Sequence, residues 1–208
     1  MRIVLEGAIA GVAFASGDTF VIGMWTSGPL GPMTDVMWSR PDRERVLLAP
    51  SGDTAAFISG IYEFDETRVV PCASTVTERG FSLAAGDLRV EAELGRPHRL
   101  FTLRPKPLRR SLAWVRVEDE VARRIGRFVI GGTAGVRLRG TTPGGAREWY
   151  RIDGYRPVVA ARGELAGRDL GPLTGLRPDV GFGFSGFPTK PAFVTCSPVL
   201  EDVTLAPG

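Results

Sequence analysis

The chain is predicted to fold as a single, mainly β domain over residues 1–208, an antiparallel β-barrel or strongly bent sandwich crossed by one long amphipathic helix. Three observations lead there. Turn-forming clusters recur at short intervals, a strict two-residue alternation stands out at Leu88–Leu94, and a helical period is carried by one stretch, Pro107–Ile125. The 27 glycines and 16 prolines suit many turns rather than long helices, while 43% hydrophobic and 24% charged residues is an ordinary globular balance.

Taken in order, residues 2–15 read as one or two apolar strands, and Ser16-Gly17-Asp18 marks a turn before a strand at Thr19–Gly23. Short strands are then expected at Val36–Trp38, Arg45–Ala49, Ala55–Phe64 and Thr67–Cys72, separated by Pro41-Asp42, Ser51-Gly52-Asp53 and Asp65-Glu66. In Leu88–Leu94, Leu88, Val90, Ala92 and Leu94 share one face, and Arg89, Glu91 and Glu93 share the other, so this strand is half-buried. Further strands are expected at Phe128–Gly131, Val136–Leu138, Arg147–Ile152, Pro157–Arg162, Val180–Phe184 and Ala192–Cys196.

The helix over 107–125 places Trp114, Val117, Val121 and Ile125 three or four residues apart, which predicts its docking face. Its charges pair four apart, as Arg116–Glu120, Asp119–Arg123 and Glu120–Arg124, each contributing roughly a few tenths of a kcal/mol. The tetrapeptide Phe20-Val21-Ile22-Gly23 recurs as Phe128-Val129-Ile130-Gly131, which leaves open a duplication into two β halves.

A net charge of +3 excludes a general nucleic-acid-binding surface as the expectation, because no concentrated basic face accompanies it. Lys106 and Lys190 are the only lysines, an arginine bias that suggests a bacterial source. Arg2, an apolar run to Phe14 and Ala13-Phe14-Ala15 imitate a signal peptide, but Glu6 breaks the run, and no stretch reaches the roughly 18 apolar residues of a membrane span. A cytoplasmic, non-membrane protein is therefore expected. Cys72 and Cys196 are expected as buried thiols, and with His98 the only histidine the sequence offers little material for a metal site, so neither metal nor cofactor is expected.

Candidate sites come from two segments. In Arg147–Arg156 one strand face carries Glu148, Tyr150 and Ile152, and the other carries Arg147, Trp149, Arg151 and Asp153. The second face mixes aromatic surface with charge, the combination that lines a ligand cavity when an arginine orients a carboxylate or phosphate. The segment Val180–Phe187 supplies Phe182, Phe184 and Phe187 among glycines. It resembles the aromatic strand of RNA-recognition domains, but the basic first residue is missing and Pro188 and Pro191 stand where a helix would begin, so these rings are expected to fill a core or a pocket. The leading expectation is a binding protein for a small apolar or acidic molecule, with Arg147, Trp149, Arg151, Phe182, Phe184 and Phe187 as its site. A structural or protein-interaction domain is a further alternative.

Gly23-Met24-Trp25 resembles the Gly-x-Trp that opens lipocalin barrels, although a helix placed mid-chain departs from that pattern. Gly186-Phe187-Pro188-Thr189-Lys190 resembles the Gly-x-Pro turn and lysine pair of the acetoacetate decarboxylase family, and Thr26–Pro32 resembles a Gly/Pro loop upstream in that family. The resemblance covers about a dozen residues. It implies a related β-rich scaffold and, as the alternative function, a lyase acting on a keto acid through Lys190; Thr189, however, stands where the family's nucleophilic lysine belongs.

Overall fold

The computed structural model describes residues 1–99, 112–129, 137–177, 181–183, 185 and 188–202, with backbone alone for 121–129. The described residues are mainly β and carry two helices rather than one. The strands are β1 (Arg2–Val4), β2 (Glu6–Phe14), β3 (Thr19–Ser27), β4 (Met33–Ser39), β5 (Arg45–Ala49), β6 (Glu66–Val69), β7 (Cys72–Val76), β8 (Gly80–Ala85), β9 (Leu88–Leu94), β10 (Arg139–Thr141), β11 (Arg147–Leu165), β12 (Arg168–Asp169), β13 (Leu173–Thr174) and β14 (Ala192–Glu201). Helix α1 is Gly52–Ser59 and α2 is Leu112–Val129.

Ten strands form one curled half-barrel in the order β6-β5-β4-β3-β2-β14-β11-β9-β8-β7. All neighbours are antiparallel except β5 and β6, which run parallel through α1. The backbone ladder does not close, but β7 curls back toward β4, and the hydroxyls of Thr34 and Ser74 meet there at 2.7 Å. The expected strands Arg147–Ile152 and Pro157–Arg162 are one strand, β11. Its register shifts at Ile152/Gly154 and Val158/Ala160 let its first half pair with β14 and its second half with β9.

Curling gives the sheet an inner and an outer core. Phe14, Phe20, Ile22, Trp38, Phe81, Leu88, Val90 and Phe193 fill the concave side. Val21, Trp25, Met37, Leu47, Phe57, Ile58, Phe182, Cys196 and Leu200 lie on the convex side, where α1 covers β5. β3 and β4 are therefore buried at nearly every position, as strands covered on both faces must be. β9 keeps the predicted alternation, with Leu88, Val90, Ala92 and Leu94 buried and the charges between them exposed.

The stretch expected as a strand over Ala55–Phe64 is instead α1 and its exit. Ser51 caps α1 by accepting the Thr54 N–H at 3.2 Å, Asp53 sits in the first turn, and the Gly60 N–H closes the other end on Ala56. Helix α2 overlaps the predicted helix, whose first residues fall outside the described ones; of its predicted docking face, Trp114 is half-buried and Val117 departs from the expectation. Val115 and Asp119 are buried while Val117 is 48% exposed. The reason is polar: the Asp119 carboxylate accepts the Leu138 N–H at 2.8 Å and lies 3.4 Å and 3.5 Å from Arg137 and Arg139. The side chains of Val121 and Ile125 lie outside the described residues.

The duplication is not supported, since Phe20–Gly23 lies in β3 while Phe128 and Val129 end α2. That also replaces the strand expected at Phe128–Gly131. Nor is there a strand at 181–183, the described part of Val180–Phe184. The apolar run at 2–15 forms β1 and β2. No helix among the described residues is long and apolar enough to cross a membrane.

Candidate functional site

Along β11 the side chains of Glu148, Tyr150 and Ile152 point to the convex core, which is the face not favoured by the sequence reading. Glu148 is 2% exposed and stands opposite Leu200 on β14 and Gly140 on β10. Tyr62, just beyond α1, is aimed at it because Ile61 is buried beneath the helix exit and the Tyr62 N–H bonds back to the Ile58 carbonyl. The Tyr62 hydroxyl donates toward the Glu148 carboxyl, 2.8 Å from Oε1 and 3.0 Å from Oε2, and lies 2.7 Å from the Tyr150 hydroxyl. Tyr150 also interacts with the Glu148 carboxyl.

Burial pushes the Glu148 carboxyl up to about 7, against the opposing effect of the hydrogen bonds from the tyrosines. Burial, then the Glu148 charge, raises both phenols well above their ordinary range. Cys196, buried on β14 opposite Ile152, is likewise raised by burial. The group is thus a carboxyl that titrates near neutral pH, flanked by two phenols that keep their protons.

Residues 181–183 pack against this group. Phe182 is buried, its ring 5.7 Å from that of Phe64, and its carbonyl accepts the Glu63 N–H at 3.2 Å. Arg45, ion-paired with Asp65 at 2.8 Å and Glu63 at 3.2 Å, also donates to the Gly181 carbonyl at 3.2 Å. A Cβ on Gly183 would stand 2.8 Å from the Tyr62 ring, so glycine is what allows the segment to lie on the tyrosine. Ser185 accepts the Arg137 N–H at 3.0 Å, tying the segment to the start of β10 beside α2.

The sequence-predicted residues separate. Phe182 joins Tyr62, Tyr150, Ile152 and Cys196 on the convex side. Arg147, Trp149 and Arg151 lie on the opposite face of β11 and bind the neighbouring strand instead. Arg147 donates to Asp202 at 2.9 Å and lies 5.7 Å from the Trp149 ring centroid, while Arg151 donates to the Ser197 carbonyl at 2.9 Å. Phe184 and Phe187 lie outside the described residues. Lys190 is exposed in the turn before β14. Sequence reasoning missed Glu148, Tyr150 and Tyr62; the first two were visible as an alternating pair, and Tyr62 carried no signal.

Two other buried carboxylates lie on β4 and in the turn before β3. Asp35 accepts the Trp25 indole N–H at 2.8 Å and is pushed up to about 6 by burial. Asp18 accepts the Trp38 indole N–H at 2.8 Å and the Ser16 hydroxyl at 2.7 Å. These groups accept from tryptophans of β3 and β4 and act as internal ties. Among the described residues no cluster of three His, Cys, Asp or Glu is placed to hold a metal ion. No known protein family matches the chain, and no curated protein matches it in sequence.

Proposed function

We propose that this protein binds a small, largely apolar molecule bearing one polar oxygen group, seated over the convex face of β11 and β14 beside residues 181–183. The observation that carries the reading is the buried Glu148 carboxyl bonded to the Tyr62 and Tyr150 hydroxyls among apolar neighbours. A purely structural role explains it poorly, because burying a carboxyl costs stability that an apolar side chain of similar size would not. Binding sites have the opposite requirement: an apolar wall with a few polar groups that fix orientation, and titrating groups displaced from their ordinary range. Ile152, Phe182 and Cys196 supply the wall, and the tyrosines, half-buried rather than buried, stand at its polar end. A cytoplasmic location in a bacterium is part of the same proposal, supported by two cysteines that remain free thiols and by the arginine-rich composition.

Calorimetric titration with apolar acids, alcohols and ketones tests the reading. Saturable binding is expected, and Tyr62→Phe and Tyr150→Phe should each weaken it by about 1–2 kcal/mol, roughly five- to thirtyfold. Absence of saturable binding across the panel, or equal affinity in both variants and the parent, would remove the site from consideration.

A further inference from the structure

We infer that residues 66–76 are a strap closing the ring of strands, and that its second half, β7, lifts about Pro71 when the hydroxyl contact between Ser74 and Thr34 breaks, opening the sheet between β4 and β7. The device is independent of the convex-face site. The ten-strand path begins on β6 and ends on β7, and only Val70 and Pro71 separate those two strands in the chain. Burial alternates without interruption from Glu66 to Thr75, with Glu66, Arg68, Val70, Cys72 and Ser74 half-buried and the residues between them exposed. The backbone therefore passes through Pro71 as one extended run. It pairs with β5 in its first half and with β8 in its second, and proline suits the changeover because it has no N–H to offer either neighbour.

The two halves are held unequally. β6 is laddered to β5, the Val70 N–H donates to the Ala49 carbonyl at 2.9 Å, and Glu66 is ion-paired with Arg68 and Arg40. β7 carries no charged side chain and no fully buried one. At its ends the Pro71 carbonyl accepts the Gly86 N–H at 3.0 Å and the Thr77 N–H donates to the Gly80 carbonyl at 2.9 Å. Ala73 and Thr75 between them therefore turn their backbone groups to β8, while Cys72, Ser74 and Val76 turn theirs away, toward β4. Every pair of neighbours along the path shares at least four register pairs. Among the described residues β4 and β7 share no ladder and meet instead through the Thr34 and Ser74 hydroxyls, 2.7 Å apart. That hydroxyl pair is the latch. Ser74 stands opposite Leu83 in the β7–β8 register, and Leu83 belongs to the concave core, so lifting β7 bares one edge of that core while β6 and α1 stay in place.

Residue-resolved amide exchange, followed by nuclear magnetic resonance on the whole protein at low denaturant, tests this. The amides of Ala73, Thr75, Ser82 and Ala84, which the β7–β8 ladder engages, should exchange faster than those of β3 and β14 and with little dependence on denaturant, as a local opening requires. Ser74→Ala and Thr34→Val should each lower the protection of those four amides about fivefold, the effect of one lost hydrogen bond. Because the two hydroxyls share that bond, the double variant should lower protection no further than either single one. Should a variant not fold, the exchange pattern of the unaltered protein decides. Exchange of the four amides in step with β3 and β14 overturns the strap, because β7 then leaves only when the whole sheet unfolds. Unchanged protection in Ser74→Ala, or additive losses in the double variant, overturns the latch.

Discussion

Trp25 and Asp35 meet across β3 and β4, the indole N–H donating to the carboxylate at 2.8 Å, and Trp38 of β4 repeats the device on the other face with Asp18, in the turn before β3, at 2.8 Å. Each pair lets a large aromatic side chain be buried without stranding its polar atom. Asp35 is held up to about 6 by burial, and together with Glu148, held up to about 7, it ties stability to pH.

Both carboxyls have folded pKa values above their ordinary 3.8 and 4.5, so the native chain binds more protons than the unfolded one between about pH 4 and 7. Stability should fall as pH rises through that window and level off above about 8, a total change of a few kcal/mol. Asp65, held down to about 2 by Arg45, acts in the opposite sense and only at more acid pH. Denaturant midpoints should therefore peak at about pH 4, with Asp35→Asn and Glu148→Gln each flattening part of the decline. A midpoint that rises from pH 5 to 8 would show these carboxyls to be ionised in the native state.

Gly23 lies directly opposite Asp35 in the β3–β4 register, and a Cβ there would overlap both the Asp35 carboxylate and the Trp25 indole nitrogen. Gly23→Ala should therefore break the hydrogen bond and destabilise by about 2–4 kcal/mol, well beyond an ordinary strand substitution. Thermal melts and the near-ultraviolet tryptophan signal would register it. An unchanged melt would mean that the hairpin relaxes without cost.

Asp119 fixes α2 to the start of β10 by accepting the Leu138 N–H at 2.8 Å. Asp119→Ala should leave that donor unpaired and Arg137 and Arg139 without their carboxylate, costing about 2–4 kcal/mol. Asp119→Asn keeps an acceptor and should cost less. Hydrogen exchange over Leu112–Val129 is the selective readout: protection there should drop while the strands around β14 stay protected. A uniform loss of protection would make Asp119 part of the global core instead.

The thiols should differ in native conditions. Cys72, half-buried near the open edge and pushed up to about 11 by burial and the Asp35 charge, should react slowly with an aromatic disulfide. Cys196, enclosed between β2 and β11, should react only on unfolding. Equal rates would show that β14 opens.

Much of the sheet was legible because its signals are local. The alternation at Leu88–Leu94 and the apolar runs of β2 and β3 follow directly from one-sided and two-sided burial. Helix α1 was not, because the short run Ala55-Ala56-Phe57-Ile58 suits a buried strand as well as a helix; the cap at Ser51 distinguishes them. Val117 was misplaced on the inward face of α2 because hydrophobic periodicity does not anticipate a buried aspartate whose partner lies on a later loop. At the site, the alternation of β11 was visible, but not which face turned inward. Tyr62 reaches Glu148 across 86 residues of sequence, a contact that only the assembled sheet creates.

β14 pairs with β2 on one side and β11 on the other, while β1 lies against its far end. It thus occupies the middle of a sheet whose other central strands come from much earlier in the chain. During synthesis the set β2–β6 and the set β7–β11 emerge first, each with an apolar edge awaiting the same late partner. Joining them requires contacts of long sequence separation, which makes assembly slow and leaves those edges available to other chains until it is done. The order in which the ribosome delivers the strands thus sets a period of vulnerability that the finished sheet no longer displays.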